Sequence, residues 1–189
     1  GQAITFAGPP TAGKSSFAAA CIRSGANLIA DDLSPVTVGS DGPELIPTST
    51  ALKLVADMAG YWLEEDVLTA TYSASFGKHT VHADRFQSQH TPGVTPLKGI
   101  FLHNRTDQSF GSSVYVERVT GHRIASILLR NSYLGDLIPK LGMTRLWLDQ
   151  IDALSTRVPV NVLHYSNGPD ALAETQAAVF RWLERQQSA

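Results

Sequence analysis

The stretch Gly8-Pro9-Pro10-Thr11-Ala12-Gly13-Lys14-Ser15 decides how the rest of the chain is read. It fits G-x-x-x-x-G-K-[ST] at every fixed position. The spacing has a mechanical reason. Gly13 lets the backbone approach a polyphosphate with no Cβ in the way. Successive loop amides point inward as an anion nest. A helix expected over 14–24 turns its unbonded N–H groups and its dipole toward the same place. Lys14 suits the β- and γ-phosphates, and the Ser15 hydroxyl suits Mg²⁺. With Ser16, the run Gly8, Pro9, Pro10, Thr11, Ala12, Gly13, Lys14, Ser15 forms the expected nucleotide-binding set, with ATP and Mg²⁺ as cofactors. The motif needs a strand before it, and Ala3-Ile4-Thr5-Phe6-Ala7 reads as one. It also needs a helix after it, and Phe17, Cys21 and nearby alanines give that helix an apolar side. Cys21 therefore reads as core, not as a nucleophile. Because the chain opens on a central strand, an upstream N-terminal segment is expected.

Gly25 is the expected helix stop. Ala26-Asn27-Leu28-Ile29-Ala30 then reads as a second strand, with Asp31-Asp32 at its end, 17 residues after Lys14. A helix and a return strand bring such a strand end beside the first loop. Two carboxylates there have two jobs open to them: taking a proton from an acceptor hydroxyl, and holding Mg²⁺. Neighbours on a strand face opposite ways, so the two should not share one role. Asp also favours turns, which is the structural alternative.

The whole sequence bounds the rest. At 189 residues and 43% hydrophobic content it suits one folded domain, 1–189. Lys and Arg number 15 against 17 Asp and Glu, which lacks the basic excess of a nucleic-acid binder. No apolar run is long enough for a bilayer, and no signal peptide opens the chain, so no membrane partner is expected. The single Cys21 fits a reducing compartment, and the expected location is cytoplasmic.

Downstream, residues 33–47 carry a Ser40-Asp41-Gly42 turn and read as a β-hairpin beside the phosphate loop. Strands are expected at Thr80–Asp84, Leu97–His103, Val114–Val119 and Asn161–Tyr165. Helices are expected over Thr50–Met58, with Tyr61-Trp62 packed on it, and over Gly121–Arg130, Leu134–Leu154 and Ala171–Arg185. Pro139 should break the third of these. Residues 87–96 read as a loop, 106–113 as a second loop or a hairpin connection, and Glu64-Glu65-Asp66 as a solvated face. No Arg-rich lid of the shikimate-kinase or nucleoside-monophosphate-kinase kind is present. His79, His82 and Asp84 read as structural or surface groups, because His79 and His82 would face opposite ways. Among Lys53, Lys78, Arg85, Arg123 and Arg130, Lys78 is the best candidate to neutralise a phosphoryl group, since Gly77 permits close approach.

These residues resemble the HPr kinase/phosphorylase family, in particular the shorter HPr-kinase-like serine kinases. The resemblance rests on Gly8 to Ser15, on Arg23-Ser24-Gly25-Ala26 and on Leu28-Ile29-Ala30-Asp31-Asp32. Leu52-Lys53-Leu54, Gly77-Lys78-His79, Pro96 to Leu102, Leu128 to Tyr133 and Val158-Pro159-Val160 extend it. It implies an α/β fold: a P-loop mixed sheet of the HPr kinase C-terminal or phosphoenolpyruvate carboxykinase-like type, with an α-rich C-terminal third. It implies Lys14 on phosphate, Ser15 on Mg²⁺, Asp31 as catalytic base, Asp32 near the metal and a lysine at Lys78. No Gly-Arg-Asn-type signature of the phosphorylase reaction is present, which favours a kinase-only relative. The expected activity is ATP-dependent transfer of a γ-phosphoryl group to a hydroxyl, serine of a peptide or protein substrate, by a possible homo-oligomer. A small-metabolite kinase and a non-catalytic ATP sensor are the alternatives.

Overall fold

The structure is a computed structural model. It describes residues 1–49, 51–62, 72–73, 77–82, 93–106, 114–133, 135–166 and 168–187. In chain order the elements are β1 (Ala3–Ala7), α1 (Lys14–Arg23), β2 (Val36–Gly39), β3 (Gly42–Leu45), β4 (Ala51–Val55), α2 (Ala56–Trp62), β5 (Tyr72–Ser73), β6 (Lys78–His82), β7 (Thr95–Thr106), β8 (Tyr115–Arg118), α3 (Arg123–Asn131), α4 (Thr144–Ser155), β9 (Val160–Ser166) and α5 (Pro169–Gln187), with a 3₁₀ turn at Gly135–Leu137. The protein is mixed α/β. It divides into two units, one of Gly1–Ala12, Val36–Leu45 and Val94–Ala189, the other of Gly13–Pro35 and Ile46–Gly93.

The first unit is built on a mixed sheet in the order β2-β3-β7-β9-β8, with β1 also on β7. β1, β7 and β9 run parallel, while β3 and β8 pair antiparallel with β7 and β9. Strand β7 has the apolar run a doubly covered strand needs: Leu97, Ile100, Phe101 and Leu102 are buried. Helix α5 presents Ala171, Leu172, Thr175, Ala178 and Val179, all buried, at helical spacing. Its Trp182 meets Phe101 edge to face, with ring centroids 4.9 Å apart. Gly99 makes that approach possible, since a Cβ there would lie 2.8 Å from Trp182 Cη2.

The second unit pairs β4, β6 and β5 in an antiparallel sheet. In β4, Leu52 and Leu54 are buried while Lys53 and Val55 are exposed, the alternation of a half-covered strand. The leucines join Ala19, Ile22, Leu28, Ala59 and Val81 in one core. Helix α1 stops where expected. Gly25 N–H donates to the Ile22 carbonyl and Ala26 N–H to the Cys21 carbonyl, and Gly25 has φ +95°. This is the paired closure that a left-handed glycine permits. Cys21 is buried, and burial pushes its thiol up to about 12, so its core reading holds.

Five sequence expectations need correction. Residues 26–30 form no strand. Leu28 is buried there and the Ile29 carbonyl accepts from Thr48 N–H, but no ladder continues through the segment. The hairpin is real, at Val36–Leu45, yet it pairs with Thr95 and Pro96 at the amino end of β7, whereas Ala7, which leads into the glycine loop from Gly8, pairs with Leu102. It therefore lies at the opposite end of that strand from the loop. The helix expected over Thr50–Met58 begins as strand β4, because the period-two burial of Leu52 and Leu54 outweighs helix propensity. The helix expected over Leu134–Leu154 survives only from Thr144, with Pro139 and Gly142 (φ +70°) interrupting the stretch before it. Thr106 belongs to β7, not to a loop. Glu64-Glu65-Asp66, Asp84, Arg85, residues 87–92 and 107–113, and the side chains of Tyr61 and Trp62 lie outside the described residues.

Candidate functional site

The loop after β1 holds three positive backbone angles: Gly8 at φ +147°, Thr11 at +65° and Gly13 at +91°. Glycine takes such angles freely, but a β-branched residue does so only against steric resistance. Thr11 is therefore strained, and strain of this kind gathers at ligand-holding loops. Its hydroxyl donates to the Pro10 carbonyl at 2.6 Å, and Ala12 N–H donates to the Pro9 carbonyl at 3.3 Å.

Within the first unit the loop has a buried brace. Tyr165 donates its hydroxyl proton to the Ala12 carbonyl at 3.0 Å. The same oxygen lies 2.6 Å from His103 Nδ1. A carbonyl only accepts and tyrosine has one proton, so His103 Nδ1 must carry the hydrogen of the second bond. Burial pushes the Tyr165 phenol up to about 12, which keeps it protonated and able to donate. Tyr165→Phe should cost about 1–3 kcal/mol, because it strands polar groups in a buried place. Urea unfolding checks this, and an unchanged midpoint would show that the loop needs no brace.

The second unit contains the charged side chains. Gly13 is the N-cap of α1, and it offers no side chain to satisfy the first turn. Phe17 N–H donates to the Gly13 carbonyl at 2.9 Å, which starts the helix directly behind Lys14 to Ser16. Ser15 and Ser16 are half-buried in its first turn. The structure brings Asp31, Asp32 and Lys78 near enough to Lys14 for their charges to act on it, and Lys53 near enough to act on both aspartates. Three ammonium groups against two carboxylates leave one positive charge in excess, which suits an anionic ligand.

The two aspartates separate by a turn, not by strand alternation. Leu33 N–H donates to the Asp31 carbonyl at 2.6 Å, and Asp32 between them has φ +59°. This is a γ-turn, a tight and strained form. Asp31 is held on its carboxylate by the N–H of Lys53 at 3.1 Å and by the N–H of Asp32. Burial pushes its proton affinity up, the Lys53 N–H pulls it back, and the neighbouring Asp32 charge pushes it up again. Asp32 lies at the surface and bonds the Lys53 ammonium at 2.9 Å, which holds its carboxyl below the ordinary range. Burial lowers the proton affinity of Lys14, Asp32 opposes this, and Lys78 adds to it.

Lys53 is the residue that sequence reasoning underrated. It stood among the candidate cations behind Lys78, yet its backbone holds Asp31 and its side chain holds Asp32. The available signal was Leu52-Lys53-Leu54, where alternation turns Lys53 away from the core. Lys78 lies on β6 at the end of the same ladder, opposite Val55. Arg123 instead pairs with Glu117. His79 is buried and His82 exposed, and no group of three metal-binding side chains occurs among the described residues.

The Lys53–Asp32 side chains are 48% and 63% exposed, so the pair contributes only about 0–1 kcal/mol. Its sign is definite. A lowered carboxyl stabilises above the ordinary aspartate range, and that contribution is lost as pH falls through the lowered value. Lys53→Met should move the Asp32 titration upward with little change in melting temperature. Carboxyl-carbon NMR measures it, and an unmoved titration would refute the pairing.

No family model, curated protein or solved structure matches the chain. Among the described residues no helix is long and apolar enough to cross a membrane.

Proposed function

We propose that the chain is an ATP-dependent kinase of the HPr-kinase-like kind, transferring the γ-phosphoryl group to a serine hydroxyl of a peptide or protein. One observation carries the reading: a P-loop-type sequence leads into a helix whose Lys14 shares a charge cluster with Asp31, Asp32, Lys53 and Lys78. Phosphoryl transfer asks little covalent chemistry of the protein and much positioning and charge neutralisation. Lys14 and Lys78 supply positive charge toward the terminal phosphates. Asp31 is the base, since a carboxylate with raised proton affinity accepts a hydroxyl proton more readily. Asp32 and Ser15 are the metal-side oxygens.

The residues fit the two cofactors. Gly13, at the start of the helix, takes the left-handed angle that a nest needs, and Mg²⁺ is commonly held by one or two protein oxygens together with substrate phosphates. Mg²⁺, when bound, neutralises phosphate charge. The chain's own part is then to orient the donor through loop amides and Lys14. Lys53 keeps Asp32 ionised and donates an N–H to Asp31, so one residue tunes both carboxylates.

The test is transfer of label from γ-labelled ATP, in Mg²⁺, to components of a lysate. The expected result is acid-stable phosphoserine that appears only when the protein is added. Label appearing only on small molecules would move the reading to a metabolite kinase. Binding of ATP with no label on any acceptor would favour the sensor.

A further inference from the structure

We infer that the first unit carries a docking groove for an extended, acidic peptide segment, which would add as a strand to the edge of β8. Among the described residues strand β8 ends the sheet order, with β9 as its paired neighbour. Val119 N–H donates to the Val160 carbonyl at 2.9 Å, two residues past the ladder pair Glu117 and Val162. Antiparallel strands alternate between residues bonded inward and residues bonded outward. Tyr115 and Glu117 are therefore bonded toward β9, and Val116 and Arg118 turn their N–H and C=O groups to the outer edge.

That edge borders a groove of about 380 Å³ formed with α5. Tyr115 and Val116 line it from the strand, and Ala178, Arg181, Trp182 and Arg185 line it from the helix. These four helical positions fall at i, i+3, i+4 and i+7, one continuous stripe. Ala178 leaves room, Trp182 supplies an apolar wall, and Arg181 and Arg185 are exposed cations one turn apart. The only carboxylate on β8, Glu117, is occupied by Arg123 and His164 at 3.0 Å each. A groove between an edge strand and a helix takes peptides by main-chain hydrogen bonds, with alternate side chains read by its walls. Here one set of alternate side chains meets Trp182 and Val116, and carboxylates meet the two arginines. Charge complementarity thus selects an acidic segment. This inference concerns residues outside the phosphate loop and does not rest on phosphoryl transfer.

The experiment selects random linear dodecapeptides on the whole protein without nucleotide, then measures the best binder by fluorescence anisotropy. Expected binders alternate acidic and apolar residues. Arg181→Glu with Arg185→Glu should weaken binding at least about tenfold, since an added like charge opposes the carboxylates. Val116→Pro should do the same while leaving the melting temperature near the parent, because proline is tolerated on an outward edge. N-methylation of alternate peptide amides should also abolish binding. Selection of no peptide, or of peptides indifferent to both variants, overturns the proposal. So does a parent dimer in sedimentation that Val116→Pro dissociates, which would assign the edge to a second copy.

Discussion

Asp31→Asn is expected to slow phosphoryl transfer by about 10²–10⁴-fold, the usual worth of a positioned general base. The amide keeps the shape and can still accept the N–H of Lys53 at 3.1 Å, so ATP affinity should stay within a few-fold of the parent. Stability should move the other way from activity. A carboxyl whose proton affinity is raised by folding contributes stability below the ordinary aspartate range and loses it as pH rises through the raised value. Asn removes that loss, so the variant should melt no lower than the parent at neutral pH, and the gap should widen as pH rises across that window. The parent's transfer rate should fall as pH drops through the same raised value, because protonated Asp31 cannot accept a proton. Single-turnover transfer and thermal melting on the same samples test both. Parental transfer by Asp31→Asn would remove Asp31 from the role of base, and a lowered melting temperature would make it a turn support.

Lys14→Ala should reduce turnover by about 10²–10³-fold, as loss of one preorganised electrostatic group does. It should also blunt stabilisation by ATP. A ligand at a hundred times its Kd stabilises the native state by about 2.7 kcal/mol, and a variant that no longer binds shows no such shift. Since folding already lowers the proton affinity of Lys14 by burying it, its removal should leave the resting melting temperature close to the parent. Calorimetry with Mg²⁺ and ATP checks the prediction. Unchanged binding with unchanged turnover would place the polyphosphate elsewhere.

Local patterns made much of the fold legible. Ala3 to Ala7, the start and stop of α1, the hairpin turn at Ser40-Asp41 and the strand Val160–Ser166 were all readable from composition and spacing. What failed depended on partners distant in sequence. Residues 26–30 have the apolar content of a strand but no ladder partner, and Leu52 and Leu54 become a strand because β6 lies beside them. The hairpin's place was hidden because β7 is 12 residues long and pairs different neighbours along its length. At the candidate site, Lys14 was singled out by the loop motif and Asp31 and Asp32 by their spacing from it, although the strand expected to carry them is absent and a turn holds them instead. Lys53 was not, because its importance comes from a hydrogen bond across 22 positions to Asp31.

The contact between Gly99 and Trp182 has a consequence for how this sequence can vary. Cη2 and Cζ3 of the indole stand 2.8 and 3.0 Å from where a side chain at 99 would begin. The two positions therefore share one volume. A residue larger than glycine at 99 needs a smaller or displaced ring at 182 and some give from Phe101, whose Cε2 would stand 3.1 Å away, and a smaller residue at 182 alone loses the edge-to-face contact with Phe101. To mutation the pair behaves as a single heritable unit, and substitutions there should be tolerated in couples that conserve their combined size while each half alone is rejected.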